Sequence, residues 1–337
     1  MNKIKLGIIG IGFIGKVHLY NSLRLPNAYL TAVADTSKKA LTLAKKMGVR
    51  RIYSDYQQLL SDQDIDAVII ALPTHLHADC AIIAAENNKH ILLEKPLARN
   101  TREGKEILAH AAKHDVKLMV GHTNRFFQPY LELKERIDNY ELGEIQVAYA
   151  TNISSGPFVH RALSDAPQPV PEWWWKKEFT GGGALIDLGS HMINLSRWLF
   201  GDVLDAKCYL GHRFNLENED HAICILKFKG YQIVVINVGW FSSQSVVKIE
   251  VYGTAGHALA THSSPSKIKT ALQLMLKKTP SYYEPYFKEL LHFVECIQHD
   301  RTPQPSGNDA LKDLEVIELA YANKLSLSSF QSNSNMS

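Results

Sequence analysis

Three clusters in the 337-residue chain combine residue types and spacings that could do chemistry. The first is Gly10-Ile11-Gly12-Phe13-Ile14-Gly15, directly after the apolar run Ile4–Ile9 and at the start of a helical pattern. In that context Gly10 permits the tight turn, Gly12 lets the backbone approach a pyrophosphate, and Gly15 allows close helix–strand packing. The free N–H groups and the positive end of the helix would hold the phosphates. Asp35 lies 20 residues beyond Gly15, at the end of the second apolar run. A carboxylate there accepts hydrogen bonds from ribose hydroxyls and repels a 2′-phosphate, which favours NAD over NADP. Lys38 and Lys39 pull the other way, and a tight turn with a helix-capping Asp is the plain structural alternative.

The second cluster is Glu94-Lys95-Pro96, which follows the run 90–93 where ligands meet open α/β sheets. A lysine held there can be partly desolvated and hydrogen-bond a substrate oxygen. The same tripeptide could equally be a surface lysine in a loop stiffened by proline. The third is the segment Gly181-Gly182-Gly183-Ala184-Leu185-Ile186-Asp187-Leu188-Gly189-Ser190-His191. Leu185, Leu188, Met192, Leu195 and Leu199 repeat at helical steps and predict a buried stripe. Asp187, His191 and Asn194 form a stripe beside it, with the i, i+4 pair able to act on one ligand. Histidine accepts protons near neutral pH, and a neighbouring carboxylate raises its basicity. Three glycines ahead of the helix let another backbone or a ligand come close. The bland alternative is an Asp favouring a helix N-terminus and a packed histidine. No metal site is expected: no third ligand stands at useful spacing, and His75 and His77 in a strand-to-helix turn either border a nicotinamide pocket or cap a helix.

The elements that must position these groups can be read from hydrophobic periodicity. Apolar runs at 4–9, 29–34, 67–72, 90–93 and 117–120 lack polar alternation, as strands buried on both faces do. Helical patterns at 13–24, 37–47, 76–87 and 101–115 separate them, with Thr101 as a helix start. This alternation predicts an α/β, doubly wound parallel sheet. Beyond it, 145–152, 203–211, 221–229, 232–241 and 246–252 alternate apolar with polar residues and predict an open, mainly antiparallel sheet with one covered face. Helices are expected at 184–200, 283–299 and 309–324, the last packing back on the first domain. The expected division is 1–121 for the dinucleotide domain, 122–330 for a substrate and oligomerisation domain, and 331–337 for a disordered tail.

Composition narrows the class. Apolar residues make up 45% and charged residues 21% of the chain, and 37 basic against 34 acidic residues leave a net charge of +3. That balance gives no basic patch for nucleic acid or a membrane surface. The apolar start is broken by glycines and lacks a small-residue cleavage site, so it does not read as a signal peptide. Cys80, Cys208, Cys224 and Cys296 form no CxxC pair and no evident disulfide framework, which makes a reducing cytoplasm the default expectation.

With these motifs in order, the chain resembles the Gfo/Idh/MocA oxidoreductase family. The likeness runs from the glycine loop through Pro73-Thr74-His75, Glu94-Lys95-Pro96, Gly121–Phe126 and GGGALIDLGSHMIN to Glu219-Asp220 and the Tyr252–Gly256 turn. It implies a catalytic set of Lys95, Asp187 and His191. It also implies an NAD site drawn from Gly10, Gly12, Phe13, Ile14, Gly15, Asp35, Thr36, Leu72, Pro73, Thr74, His75, His77, Glu94, Lys95 and Trp173. The expected substrate is a sugar, cyclitol or derivative, contacted by Lys95, Asn124, Arg125, Asn152, Asp187 and His191, with 153–180 as a lid. The expected chemistry is proton removal from a secondary hydroxyl by His191, with Lys95 stabilising its oxygen. A homodimer or homotetramer through the second-domain sheet is implied as well. Two departures stand out: a single arginine in His122-Thr123-Asn124-Arg125-Phe126, and Trp173-Trp174-Trp175-Lys176-Lys177 where relatives often have Trp-Arg. Arg161, Lys176 and Lys177 could hold a phosphate or be solvated loop charges. A redox-neutral NAD-dependent glycosidase and a sugar or nucleotide sensor are the competing activities on this scaffold.

Overall fold

A computed structural model of the chain describes residues 2–156, 172–262, 273 and 280–325. It divides into two compact units, Met1–Leu131 with Ser264–Leu314, and Glu132–Ser263 with Glu315–Ser337. Among the described residues no helix is long and apolar enough to cross a membrane.

In the first unit β1 (Ile4–Ile9), β2 (Ala28–Ala34), β3 (Arg51–Tyr53), β4 (Ala67–Ile70), β5 (His90–Glu94) and β6 (Leu118–Gly121) form one sheet. Its order is β3-β2-β1-β4-β5-β6, with every pairing parallel. The connecting helices are α1 (Phe13–Ser22), α2 (Lys38–Lys46), α3 (Tyr56–Leu60), α4 (His77–Glu86) and α5 (Thr101–Lys113). All four residues of β4 are buried, as the unbroken apolar run requires. Strand order reverses between β1 and β4, so the crevice outside their carboxyl ends is where such a sheet binds ligands. The doubly wound reading therefore holds.

Several elements were not visible in the sequence. The edge strand β3 is three residues long and only partly covered, so it lacks an apolar run. Helix α5 starts at Thr101, but its cap is Asn100, whose side chain accepts the Glu103 N–H at 3.0 Å. Helix α6 (Gln128–Asp138) is not among the helices that the sequence pattern predicts. The expectation of 283–299 as part of the second domain differs from the structure. Helix α9 (Glu284–Gln298) buries Leu290, Phe293 and Val294 in the same core as Leu6, Ile8 and Leu19. That attachment joins segments far apart in sequence, which local periodicity does not report.

The second unit is built on β7 (Ile145–Ile153), β8 (Val203–Gly211), β9 (His221–Phe228), β10 (Ile233–Gly239), β11 (Val246–Gly253) and β12 (Gly256–His262). The order is β12-β11-β7-β10-β9-β8. All pairs are antiparallel except β7–β10, which is parallel. One face is buried and the other carries exposed side chains, as the strict alternation in β9 shows. The buried face includes Cys208 and Cys224, which stand directly opposite one another, Cα atoms 4.1 Å apart, and are joined as a disulfide. This corrects the reading of no disulfide framework at that one pair, while Cys80 and Cys296 are free and buried. Strand register, which spacing along the chain does not give, brought the two together.

Two short helices, α7 (Lys177–Thr180) and α8 (Ser190–Phe200), complete this unit with a π-helical turn at Leu185–Gly189. The last helix, α10 (Gly307–Ala322), contributes to both units: residues to Leu314 belong to the first and those from Glu315 to the second. Arg161, residues 157–171 of the expected lid and the 331–337 tail lie outside the described residues.

Candidate functional site

In the first unit the loops at the carboxyl edge of the parallel sheet bring the sequence-derived groups into one row. Ile9 pairs with Ala34 on one side and Ile70 on the other, Ile70 pairs with Leu93, and Glu94 with Gly121. The residues that follow these positions are Gly10, Asp35, the 72–75 turn, Lys95 and the 122–125 turn.

The glycine loop meets the steric requirements of a pyrophosphate cradle. Gly10 has φ +88°, and a Cβ there would lie 2.4 Å from the Ala71 carbonyl oxygen. A Cβ on Gly15 would lie 2.0 Å from the Gly10 carbonyl oxygen. Gly12 differs: nothing lies within 4 Å of its Cβ position, and it precedes α1 with φ −69°. Backbone packing therefore does not require a glycine at 12, whereas a ligand seated on the helix N-terminus would. Phe13 is 68% exposed beside it, Ile14 is half-buried, and Thr36 is exposed. Asp35 accepts the Ile11 N–H at 2.6 Å through one oxygen and the Ser37 N–H at 2.7 Å through the other. Its carboxylate is thus locked against the loop, with lone pairs left for a ribose.

Other expected cofactor residues turn inward. His77 is buried, its Nδ1 lying 2.8 Å from the Pro96 carbonyl and its Nε2 2.9 Å from the Leu72 carbonyl. The ring fastens the turns after β4 and β5 to each other. Burial lowers its pKa, opposed by these carbonyl contacts. Glu94 points into the core, its Oε1 2.7 Å from His18 Nε2 of α1, and Lys95 N–H reaches its Oε2 at 3.3 Å. Lys95 itself is half-buried, as are Leu72, Pro73, Thr74 and His75. Burial, and then the positive charge of Arg99, pull His75 below the usual histidine range. Asn124 and Arg125 are both buried, within a 3₁₀ turn at Thr123–Phe126. Thr123 Oγ1 donates to Glu289 at 3.0 Å, a fully buried carboxyl that sequence reasoning missed. Burial, with the Glu94 charge nearby, pushes Glu289 well above the ordinary carboxyl range.

In the second unit the triple glycine has structural explanations. Gly181 adopts φ +81° and ends α7. A Cβ on Gly182 would sit 2.1 Å from the Tyr321 hydroxyl, and one on Gly183 1.9 Å from the Glu219 carbonyl oxygen. Of the positions from Ala184 to Arg197, only Asp187, Leu188 and His191 are not buried. The wide π turn rotates Leu188 off the apolar stripe and opens this patch, a use of π geometry that recurs at functional sites. Asn194, expected beside His191, is instead buried at 1% exposure. Asp187 Oδ2 accepts the indole N–H of Trp240 at 3.1 Å. Trp240 is fully buried and carried no sequence signal.

Asn152 differs from its expected place in a substrate wall. It is buried, and its amide donates to the Leu188 carbonyl at 3.3 Å, supporting the π turn from β7. Trp173, Trp174 and Trp175 are all half-buried; the first two stack with ring centroids 5.3 Å apart and planes 11° apart.

Residues 4–122 match an oxidoreductase family with an NAD-binding Rossmann fold, and residues 130–259 match the GFO/IDH/MocA C-terminal domain. The chain is 31% identical over 328 residues to the uncharacterized oxidoreductase YrbE of Bacillus subtilis (strain 168), covering 92% of this chain and 91% of that protein. It is 27% identical over 346 residues to the myo-inositol 2-dehydrogenase of Thermotoga maritima, covering 96% of each. Among solved structures, GenD2 from gentamicin A biosynthesis in complex with NAD superposes with a TM-score of 0.83 at 22% identity, over 96% of this chain and 94% of that one.

Proposed function

Because the chain belongs to the Gfo/Idh/MocA oxidoreductase family, we propose that it oxidises a secondary hydroxyl of a sugar, cyclitol or sugar derivative with NAD. The observation that carries this reading is the patch of Asp187, Leu188 and His191, left open on an otherwise buried helical segment. An acid and a base kept accessible there are not needed for packing. The myo-inositol 2-dehydrogenase relative supports the polyol class.

The residues present fit the dinucleotide. Gly10 and Gly15 shape the loop, Gly12 leaves the space above the helix N-terminus clear, and Asp35 offers a carboxylate at the position that favours NAD. NAD, when bound, supplies the hydride acceptor at C4 of its nicotinamide. His191 takes the hydroxyl proton, and Lys95 donates a hydrogen bond to the same oxygen as negative charge develops on it. Asp187, held by Trp240, orients the substrate or the imidazole. Arg125 and Asn124 are proposed as further substrate contacts.

The exposed face of the second sheet is assigned to self-association. Leu259, Glu250, Tyr149, Val235 and Ile225 form a continuous row across five strands. Leu259, Tyr149 and Ile225 are 55%, 45% and 45% exposed, an apolar load that a second copy of the chain would cover.

The test is absorbance at the NADH band with NAD and a panel of cyclitols, free sugars, sugar phosphates and nucleotide sugars, repeated with NADP. Net reduction that vanishes in His191→Ala is expected. Tight NADH binding with no net reduction by any of the panel would reject the dehydrogenase reading in favour of redox-neutral turnover or sensing.

A further inference from the structure

The helical segment that carries Asp187 and His191 begins with three consecutive N–H groups, and one residue takes all of them. Glu219 Oε1 accepts from Gly183 N at 3.0 Å and from Leu185 N at 2.9 Å. Its own main-chain carbonyl accepts from Ala184 N at 2.9 Å. Such groups have no partner within their own helix and must be satisfied from outside. A third bond to Oε1 comes from Tyr321, whose hydroxyl donates at 2.8 Å from α10. Glu219 is 4% exposed, so solvent does not share this work. The neighbouring glycines are the steric imprint of the same contact, since side chains at 182 and 183 would collide with Tyr321 and Glu219.

The next residue extends the clamp. The Asp220 carbonyl accepts the Trp240 N–H at 2.8 Å, and the Trp240 indole N–H donates to Asp187 Oδ2 at 3.1 Å. A single strand corner thereby grips the start of the helical segment and, through Trp240, the side chain of Asp187.

We propose that Glu219, braced by Tyr321, is a positioning residue that sets the orientation of Asp187 and His191. It acts through backbone N–H groups, without touching substrate. This rests on the oxidoreductase reading for its catalytic consequence, though not for its structural one. Because the contacts converge on one oxygen, acceptor geometry rather than net charge carries the effect. Burial raises the Glu219 pKa, against the pull of the Leu185, Tyr321 and Gly183 bonds, so a neutral acceptor is well suited to the place.

Glu219→Gln, Glu219→Ala and Tyr321→Phe separate these ideas. Each is assayed for NADH formation from the fastest panel polyol, for NADH affinity by fluorescence, and for the His191 imidazole signal in histidine-labelled protein, assigned by its loss in His191→Gln. Glu219→Gln, whose amide oxygen can accept the same bonds, should keep turnover within about threefold and leave the His191 signal in place. Glu219→Ala should lower kcat on the order of 100-fold through misplacement of the pair, shift the His191 signal, and hold NADH affinity within about twofold. Tyr321→Phe, which removes one donor, should do the same more weakly. A folded Glu219→Ala protein with wild-type kcat and His191 signal would overturn the proposal, as would Glu219→Gln behaving like Glu219→Ala. Should Glu219→Ala not fold, an unmoved His191 signal in Tyr321→Phe would overturn it. If the wild type oxidises no polyol, the functional reading fails by itself, and the His191 signals still decide the role of Glu219.

Discussion

Substituting Gly12 and Gly15 by alanine should separate what the glycine loop does for the fold from what it does for a ligand. At Gly12 the added Cβ meets no atom within 4 Å, and the backbone is extended, with φ −69° and ψ −152°. Gly12→Ala should therefore leave the free protein within about 1 kcal/mol of wild-type stability. The new methyl group nevertheless projects into the space above the N-terminus of α1. A pyrophosphate seated on those N–H groups would be pushed away, and a loss of about 2.8 kcal/mol is a 100-fold weaker NADH affinity. At Gly15 the added Cβ lies 2.0 Å from the Gly10 carbonyl oxygen, so helix and turn must separate. Overpacking of this kind costs about 1–3 kcal/mol, and it appears without any ligand. The assays are urea unfolding of the free protein and NADH fluorescence titration of each variant. Gly12→Ala that binds NADH like wild type would refute the cradle assignment. Gly12→Ala that is destabilised as much as Gly15→Ala would refute the claim that only a ligand requires glycine at 12.

Lys95→Met should cut turnover by orders of magnitude while NADH affinity persists, as NADH formation and fluorescence titration would show; near-normal turnover removes Lys95 from the reaction. Glu289→Gln should stabilise the first unit increasingly as pH rises. The folded-state pKa of Glu289 is raised by burial and by Glu94, so the native state holds a proton that the unfolded chain releases above about pH 4.3. Wild-type stability from this group falls from there upward toward the folded pKa, and a neutral amide removes that loss. Urea titrations between pH 4 and 8 that show a constant difference would contradict it. Ile225→Asp places a charge in the apolar row across the second sheet, and light scattering should show a smaller assembly with NADH affinity retained.

Patterns that depend on near neighbours were legible without coordinates. Unbroken apolar runs identified five of the six parallel strands, because burial on both faces leaves no polar alternation. The glycine loop was legible because backbone sterics at Gly10 and Gly15 allow little else. Asp187 and His191 were found as an i, i+4 pair, which local helical geometry brings to one face.

What tertiary structure decided is which polar groups are spent inside the protein. Glu94, His77 and Asn152 were expected to face ligands, yet their hydrogen bonds go to His18, to the Leu72 and Pro96 carbonyls, and to the Leu188 carbonyl. Conversely Trp240, Glu219 and Tyr321 hold the Asp187–His191 segment from positions 36 to 138 residues beyond its start at Gly183. The same is true of the Cys208–Cys224 pair, made by strand register, and of helix α9, which returns to the core of the first unit. A side chain's type says what it can donate or accept. Only the packed chain says which partner reaches it first, because a buried polar group must be satisfied by whatever the fold places within about 3 Å.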